Sequence, residues 1–270
     1  MLGVALICTA VFALGGFTVG AGDGRNGNNF LYSNPDTHWN ILGVVVRHVD
    51  VEVAGGRAQI SMSARDVAIA EERFLDLGRT LGNMSNGQMT ASVSILHIHT
   101  PLTQMGRVTT TMGTYGYAPR PHHIMNLVAD YINIANFCHV MTFMRTQCDL
   151  AAHSVPTRWM GLYNGVVDDI HFSQVLFSPS RYCTWHTANF FPELVLVHEF
   201  IHGLERRARE LGVSIPSSID APRENYGYGM SRQDRFRFYY DFMNRNISHN
   251  GNFIGLTPEV FVRRTVVTLY

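Results

Sequence analysis

One stretch, residues 191–205, constrains this chain more than any other: Phe-Pro-Glu-Leu-Val-Leu-Val-His-Glu-Phe-Ile-His-Gly-Leu-Glu. Residues four apart on an α-helix share a face, so His198 and His202 project side by side, at a spacing that holds one metal ion between two imidazoles. Glu199 lies one step round the helix and reaches a water beside that ion. Val195, Leu196, Val197, Phe200, Ile201 and Leu204 make the other faces apolar, which predicts a buried helix. Two histidines and a carboxylate are costly to bury without partners, and a metal ion supplies one.

The segment His198-Glu199-Phe200-Ile201-His202 resembles the active-site helix of the zincin zinc metallopeptidases, whose H-E-x-x-H motif carries two zinc ligands and a general base. The resemblance implies peptide-bond hydrolysis with Zn2+ as cofactor, His198 and His202 as metal ligands, and Glu199 as catalytic base. A protein or peptide is then the expected partner. Catalytic zinc takes three protein ligands and leaves the fourth position to water, so one more ligand is required. Metzincins place a third histidine six residues after the second, with a glycine midway. Here those positions are Ala208 and Glu205, which excludes that subfamily. In gluzincins a glutamate arrives from a second helix, and Glu224, 22 residues after His202, has the best spacing.

Other acids compete with Glu224. Asp220 makes an aspartate-ligand variant. Glu205 shares the ligand face but sits about 10 Å along the axis from His198, which suits a partner to a ligand better than a ligand. Asp234 follows Ser231 at capping-box spacing and is expected to start a helix. Glu224 lacks the N-E-x-x-S-D context of the thermolysin group. The D-x-x-Y-G of aspzincins has Asn225 in place of its aspartate here, so the subfamily stays open. Tyr226 is the expected oxyanion donor, with Tyr228 as its alternative; packing under a loop is the plainer reading of both. Two further functions remain open: a binding protein that keeps the motif without turnover, and a zinc hydrolase acting on a non-peptide bond.

The formal charge is +0 and no long basic or acidic run occurs, so nothing points to nucleic acid. The basic residues, 21 in all, are arginines without a lysine, a bias with no functional reading. Residues 1–21 are apolar and uncharged and end in the small-x-small sequence Val19-Gly20-Ala21, as a secretory signal peptide would. A secreted or extracytoplasmic location follows, with membrane attachment only if that segment is kept as an anchor. Cleavage leaves Cys138, Cys148 and Cys183, enough for one disulfide in an oxidising compartment.

Residues 22–270 read as one domain, with an upper part to about 211 and a C-terminal part over 212–270. Trp39 to Val53 is rich in β-branched residues and predicts a strand ending at the Gly55-Gly56 turn. Ser63 to Asp66 forms a capping box for a helix that Gly82 stops. Met89 to Thr100 alternates as a strand, with His97 and His99 on one side, more a solvated edge than a chelate. Pro121 opens a helix running to about Ile134, on which His122 and His123 face apart. Phe137 to Arg145, a Gly-interrupted piece over 159–167, and Ile170 to Phe177 complete the strands. This order resembles the N-terminal half of zincins. It predicts an α+β fold: a mixed twisted sheet, an antiparallel edge strand before the active-site helix, and a mainly helical C-terminal part.

Overall fold

Continuous burial on both faces marks β1 (His38–Val46) as a central strand: Ile41, Leu42, Val44 and Val45 are wholly inaccessible to solvent. It pairs in parallel with β4 (Thr90–Ile98) on one side and β7 (His139–Arg145) on the other. β7 pairs in parallel with β9 (Ile170–Phe177), and β8 (Gly161–Val167) runs antiparallel to β9 at the edge. The computed structural model, which describes residues 35–53, 56–109, 115–145, 161–177 and 192–263, thus contains a five-stranded mixed sheet of order β4-β1-β7-β9-β8. With its flanking helices this is an α+β arrangement, and the expected antiparallel edge strand is present. The described residues belong to one unit, 32–270. The expected signal segment, Cys148, Cys183 and residues 159–160 lie outside the described residues, and no described helix is long and apolar enough to cross a membrane.

Two helices pack on one face. α1 (Ala64–Met84) starts at the expected capping box: Ser63 Oγ accepts from Asp66 N at 3.2 Å, and Asp66 Oδ2 accepts from Ser63 N at 2.8 Å. It continues past Gly82 and ends where Asn86 and Gly87 take positive φ angles of 52° and 77°. α3 (Pro192–Glu210) lies beside α1, and both bury apolar stripes against Trp39, Ile41, Val45, Met141, Phe143 and Val175. Fully burying a side chain such as Phe200 contributes about 1.5–3 kcal/mol, so this face anchors α3 firmly. α4 (Arg232–Met243), begun by the expected Ser231–Asp234 box, adds Phe238, Tyr239, Phe242 and Met243 to the same core.

Several expectations change. The run Trp39–Val53 is two strands: β1 stays in the sheet, whereas β2 (His48–Val53) leaves it to form a hairpin with β3 (Gly56–Ser61). β-branched residues suit both environments, so composition does not reveal the break. A second hairpin, β5 (Gly106–Thr109) with β6 (Tyr115–Ala118), was not apparent from the pattern either. α2 (Pro121–Val128) ends six residues before Ile134. The C-terminal part is mixed, with the short hairpin β10 (Ile247–His249) and β11 (Asn252–Ile254) before α5 (Pro258–Phe261).

Beneath α3 the sheet carries two buried histidines in register, His139 on β7 and His171 on β9. Ser173 Oγ donates to the carbonyl of Glu199 at 3.1 Å, so it accepts from His139 Nε2–H at 2.7 Å. This ties the sheet to the backbone of the motif. Tyr163 OH and His171 Nδ1 share a hydrogen bond at 2.8 Å. Gly203 leaves room for the His171 ring, since a Cβ there would lie 3.0 Å from Nδ1. Burial, with His171 alongside, holds His139 well below the usual imidazole range, and burial, with Arg206 and Arg207 nearby, lowers His171 to about 4.

Acid should therefore destabilise the fold. The unfolded chain protonates these histidines near 6.5 and the folded chain resists, so their contribution is complete above 6.5 and is lost as pH falls below it, for His171 down to about 4. For His171 the drop from 6.5 to about 4 corresponds to about 3 kcal/mol. Denaturant unfolding between pH 7.5 and 4.5 should show this loss, with a shallower slope in His171→Gln; equal slopes would contradict it.

Candidate metal centre

α3 delivers His198, Glu199 and His202 as the helical period predicts, and the loop after it supplies Asp220. The four groups converge. His198 Nε2 and His202 Nε2 are 3.2 Å apart, and Asp220 places Oδ1 3.1 Å from the former and Oδ2 3.5 Å from the latter. Ligand atoms about 2.0–2.1 Å from a tetrahedral zinc are separated by ~3.3 Å, so the spacing of these three side chains fits that ion. Among the described residues this is the group of histidines, cysteines and acids able to hold a metal.

The outer ring nitrogens are both engaged, which turns the Nε2 lone pairs inward. His202 Nδ1–H donates to Glu205 Oε2 at 3.0 Å. His198 Nδ1 is 2.7 Å from the hydroxyl of Tyr239, a phenol that burial keeps neutral by raising its pKa to about 12. Burial opposes a charge on His202, yet the Glu205 hydrogen bond and the charges of Glu199 and Asp220 outweigh it and raise its pKa. Partial desolvation works against ionisation of the largely exposed Asp220 too, and His198, His202 and Arg223 together overcome it, leaving the carboxyl below its usual range. The set thus combines two imidazoles with an ionised carboxylate.

Glu199 is 4% exposed, with Oε1 at 3.9 Å from His198 Nε2. Its Oε2 is buried without a hydrogen-bond partner among the described residues. Burial is the main reason that its pKa is raised, partly offset by His198 and His202. The first residue of the edge strand, Gly161, lies directly against this carboxylate: a Cβ there would fall 2.5 Å from Cδ and 2.6 Å from Cγ. The edge strand and the candidate base are therefore in contact, and a side chain at 161 would push the carboxylate aside.

The expected third ligand, Glu224, is not in the cluster. It is exposed on a 3-10 turn, Arg223–Tyr226, whereas gluzincin spacing assumes a ligand carried on a second helix. Asp220, carried on the loop, takes the position beside the histidines. Tyr226 lies in the loop: its oxygen accepts from Ser217 N at 3.3 Å, and its ring packs against Phe238 and His249. Tyr228 OH donates to Asp241 at 2.8 Å. Both tyrosines support the loop, as the plainer reading had it. Glu205 is the partner to His202 expected from its place on the helix. Tyr239 and Gly161 were missed; a tyrosine on an apolar helix face is a usable signal, because a buried hydroxyl needs a polar partner.

His97 is paired with Glu71 at 3.1 Å and takes no part in the cluster. Nor does His123, whose Nδ1 accepts from Arg120 N at 3.0 Å. Compared with protein-family models, curated proteins and solved structures, the chain matches none.

Proposed function

We propose that this chain is a zinc-dependent hydrolase of peptide bonds, with His198, His202 and Asp220 as the metal ligands and Glu199 as the general base. The observation that carries the reading is the convergence of three metal-ligating side chains, His198 Nε2 and His202 Nε2 at 3.2 Å with Asp220 Oδ1 3.1 Å from the first and Oδ2 3.5 Å from the second, beside a buried carboxylate whose Oε2 has no hydrogen-bond partner among the described residues. The zincin resemblance of the motif and the antiparallel edge strand beside the base support it. Asp220 makes this an aspartate-ligand variant of that class rather than a gluzincin.

Zinc bound by these residues would lower the pKa of a water towards ~7 and polarise a carbonyl. The chain supplies the rest. Glu199 accepts the proton of the attacking water and delivers it to the leaving amine, and its raised pKa suits a group that must hold that proton between the two steps. Glu205 and Tyr239 orient the histidine rings. Gly161 keeps the start of the edge strand close to Glu199 without displacing it. A protein or peptide substrate and a secreted or extracytoplasmic location belong to the same reading. Cleavage of an unfolded protein, compared with and without zinc, tests it.

A further inference from the structure

Asp220 sits on an irregular segment between α3 and α4, 18 residues beyond His202, and its side chain is 64% exposed. A local turn shapes it, with Ala221 N on the Ser218 carbonyl at 3.0 Å and Asp220 N on Ser218 Oγ at 3.1 Å, but that turn does not attach it to the histidines. The fixing comes from α3. Glu205 is 2% exposed and uses its two oxygens differently: Oε2 receives His202 Nδ1–H at 3.0 Å, and Oε1 receives the backbone N–H of Ile219, the residue before Asp220, at 3.0 Å. Arg209, one turn further along, donates to the same Oε1 at 2.5 Å and to the carbonyl of Ser217 at 2.7 Å. One carboxylate and one guanidinium thus span from a ligand on the helix to the backbone that carries the ligand on the loop.

We infer that Glu205, braced by Arg209, is the positioning residue that assembles the three-ligand set, orienting His202 and docking the 217–220 segment so that Asp220 meets the histidines. This rests on the metal reading above and adds a coupling between two ligands. A carboxylate has two acceptor oxygens and no donor, which is what two inward N–H groups require. Glutamine keeps the shape but offers one acceptor and turns an amide N–H towards the other donor. The substitution therefore breaks one arm of the link without opening a cavity.

The experiment measures zinc dissociation constants on the full chain by chelator competition, for wild type, Glu205→Gln and Arg209→Met, each also in an Asp220→Asn background. Absorption spectra of the Co2+-loaded chains accompany them. Glu205→Gln should weaken zinc by about 10–100-fold, and Arg209→Met by a smaller factor. Arg209 is half exposed, so its variant keeps the test open if the buried substitution impairs folding. In the Asp220→Asn background the Glu205→Gln factor should shrink, since one of the two groups it positions no longer ligates. The Co2+ spectrum of Glu205→Gln should move towards that of Asp220→Asn. A Glu205→Gln chain binding zinc within about twofold of wild type, or a factor of equal size with and without Asp220, overturns the inference. A folded wild-type chain with no zinc affinity overturns the metal reading itself, an outcome visible before any variant is made.

Discussion

Asp220→Asn is expected to lower zinc affinity by more than about 100-fold and to remove hydrolysis with it, whereas Glu224→Gln leaves both unchanged. The two acids are four residues apart, yet their surroundings differ completely. Asp220 lies 3.1 and 3.5 Å from the two histidine nitrogens, and those histidines with Arg223 hold its carboxyl below the usual range, so it is ionised when a cation arrives. Asparagine keeps the size but removes the charge, leaving the two histidines without an anionic ligand to hold a divalent ion. Glu224 is exposed on its 3-10 turn, and a surface substitution away from partners changes stability by less than about 0.5 kcal/mol. Chelator competition, with circular dichroism as a folding control, separates the two variants; the reverse ranking would return the third-ligand role to Glu224.

Glu199→Gln is expected to lower kcat by about 10²–10⁴-fold while zinc content stays at the wild-type level. The amide matches the carboxylate in shape, so the contact with Gly161 and the helix remain as they are. What is lost is a basic oxygen 3.9 Å from the ligand nitrogen of His198. The carboxylate occupies a site where burial disfavours its charge and one oxygen has no partner among the described residues, a state the fold would not retain for stability alone. The melting temperature of the zinc-free variant should accordingly be no lower than that of the wild type. Steady-state hydrolysis of one peptide by zinc-loaded wild type and variant checks the first part; undiminished kcat would remove Glu199 from the base role.

The part of the site carried by one helix was legible in the sequence, because a helix fixes the relation of residues three and four apart whatever surrounds it. His198, Glu199, His202 and the Glu205 partner all follow from that period. So do the capping boxes at Ser63 and Ser231, where a local side chain meets a local backbone group. The third ligand was not legible in this way. Its choice depends on the path of a loop, and that path is set by Glu205 on Ile219 and Arg209 on Ser217, contacts between segments with no periodicity to announce them. The same holds for Tyr239, which reaches His198 from α4, and for Gly161, whose role appears only when β8 lies against α3. The break between β1 and β2 was hidden for another reason: the same valines serve a central strand and a half-exposed hairpin.

The most direct test of the account is removal and return of zinc in the wild-type chain. About one zinc per folded chain is expected, with cleavage of an unfolded protein that stops on chelation and resumes when one equivalent of zinc is restored. Cleavage that continues undiminished under chelation, or a folded chain that takes up no zinc, would contradict it.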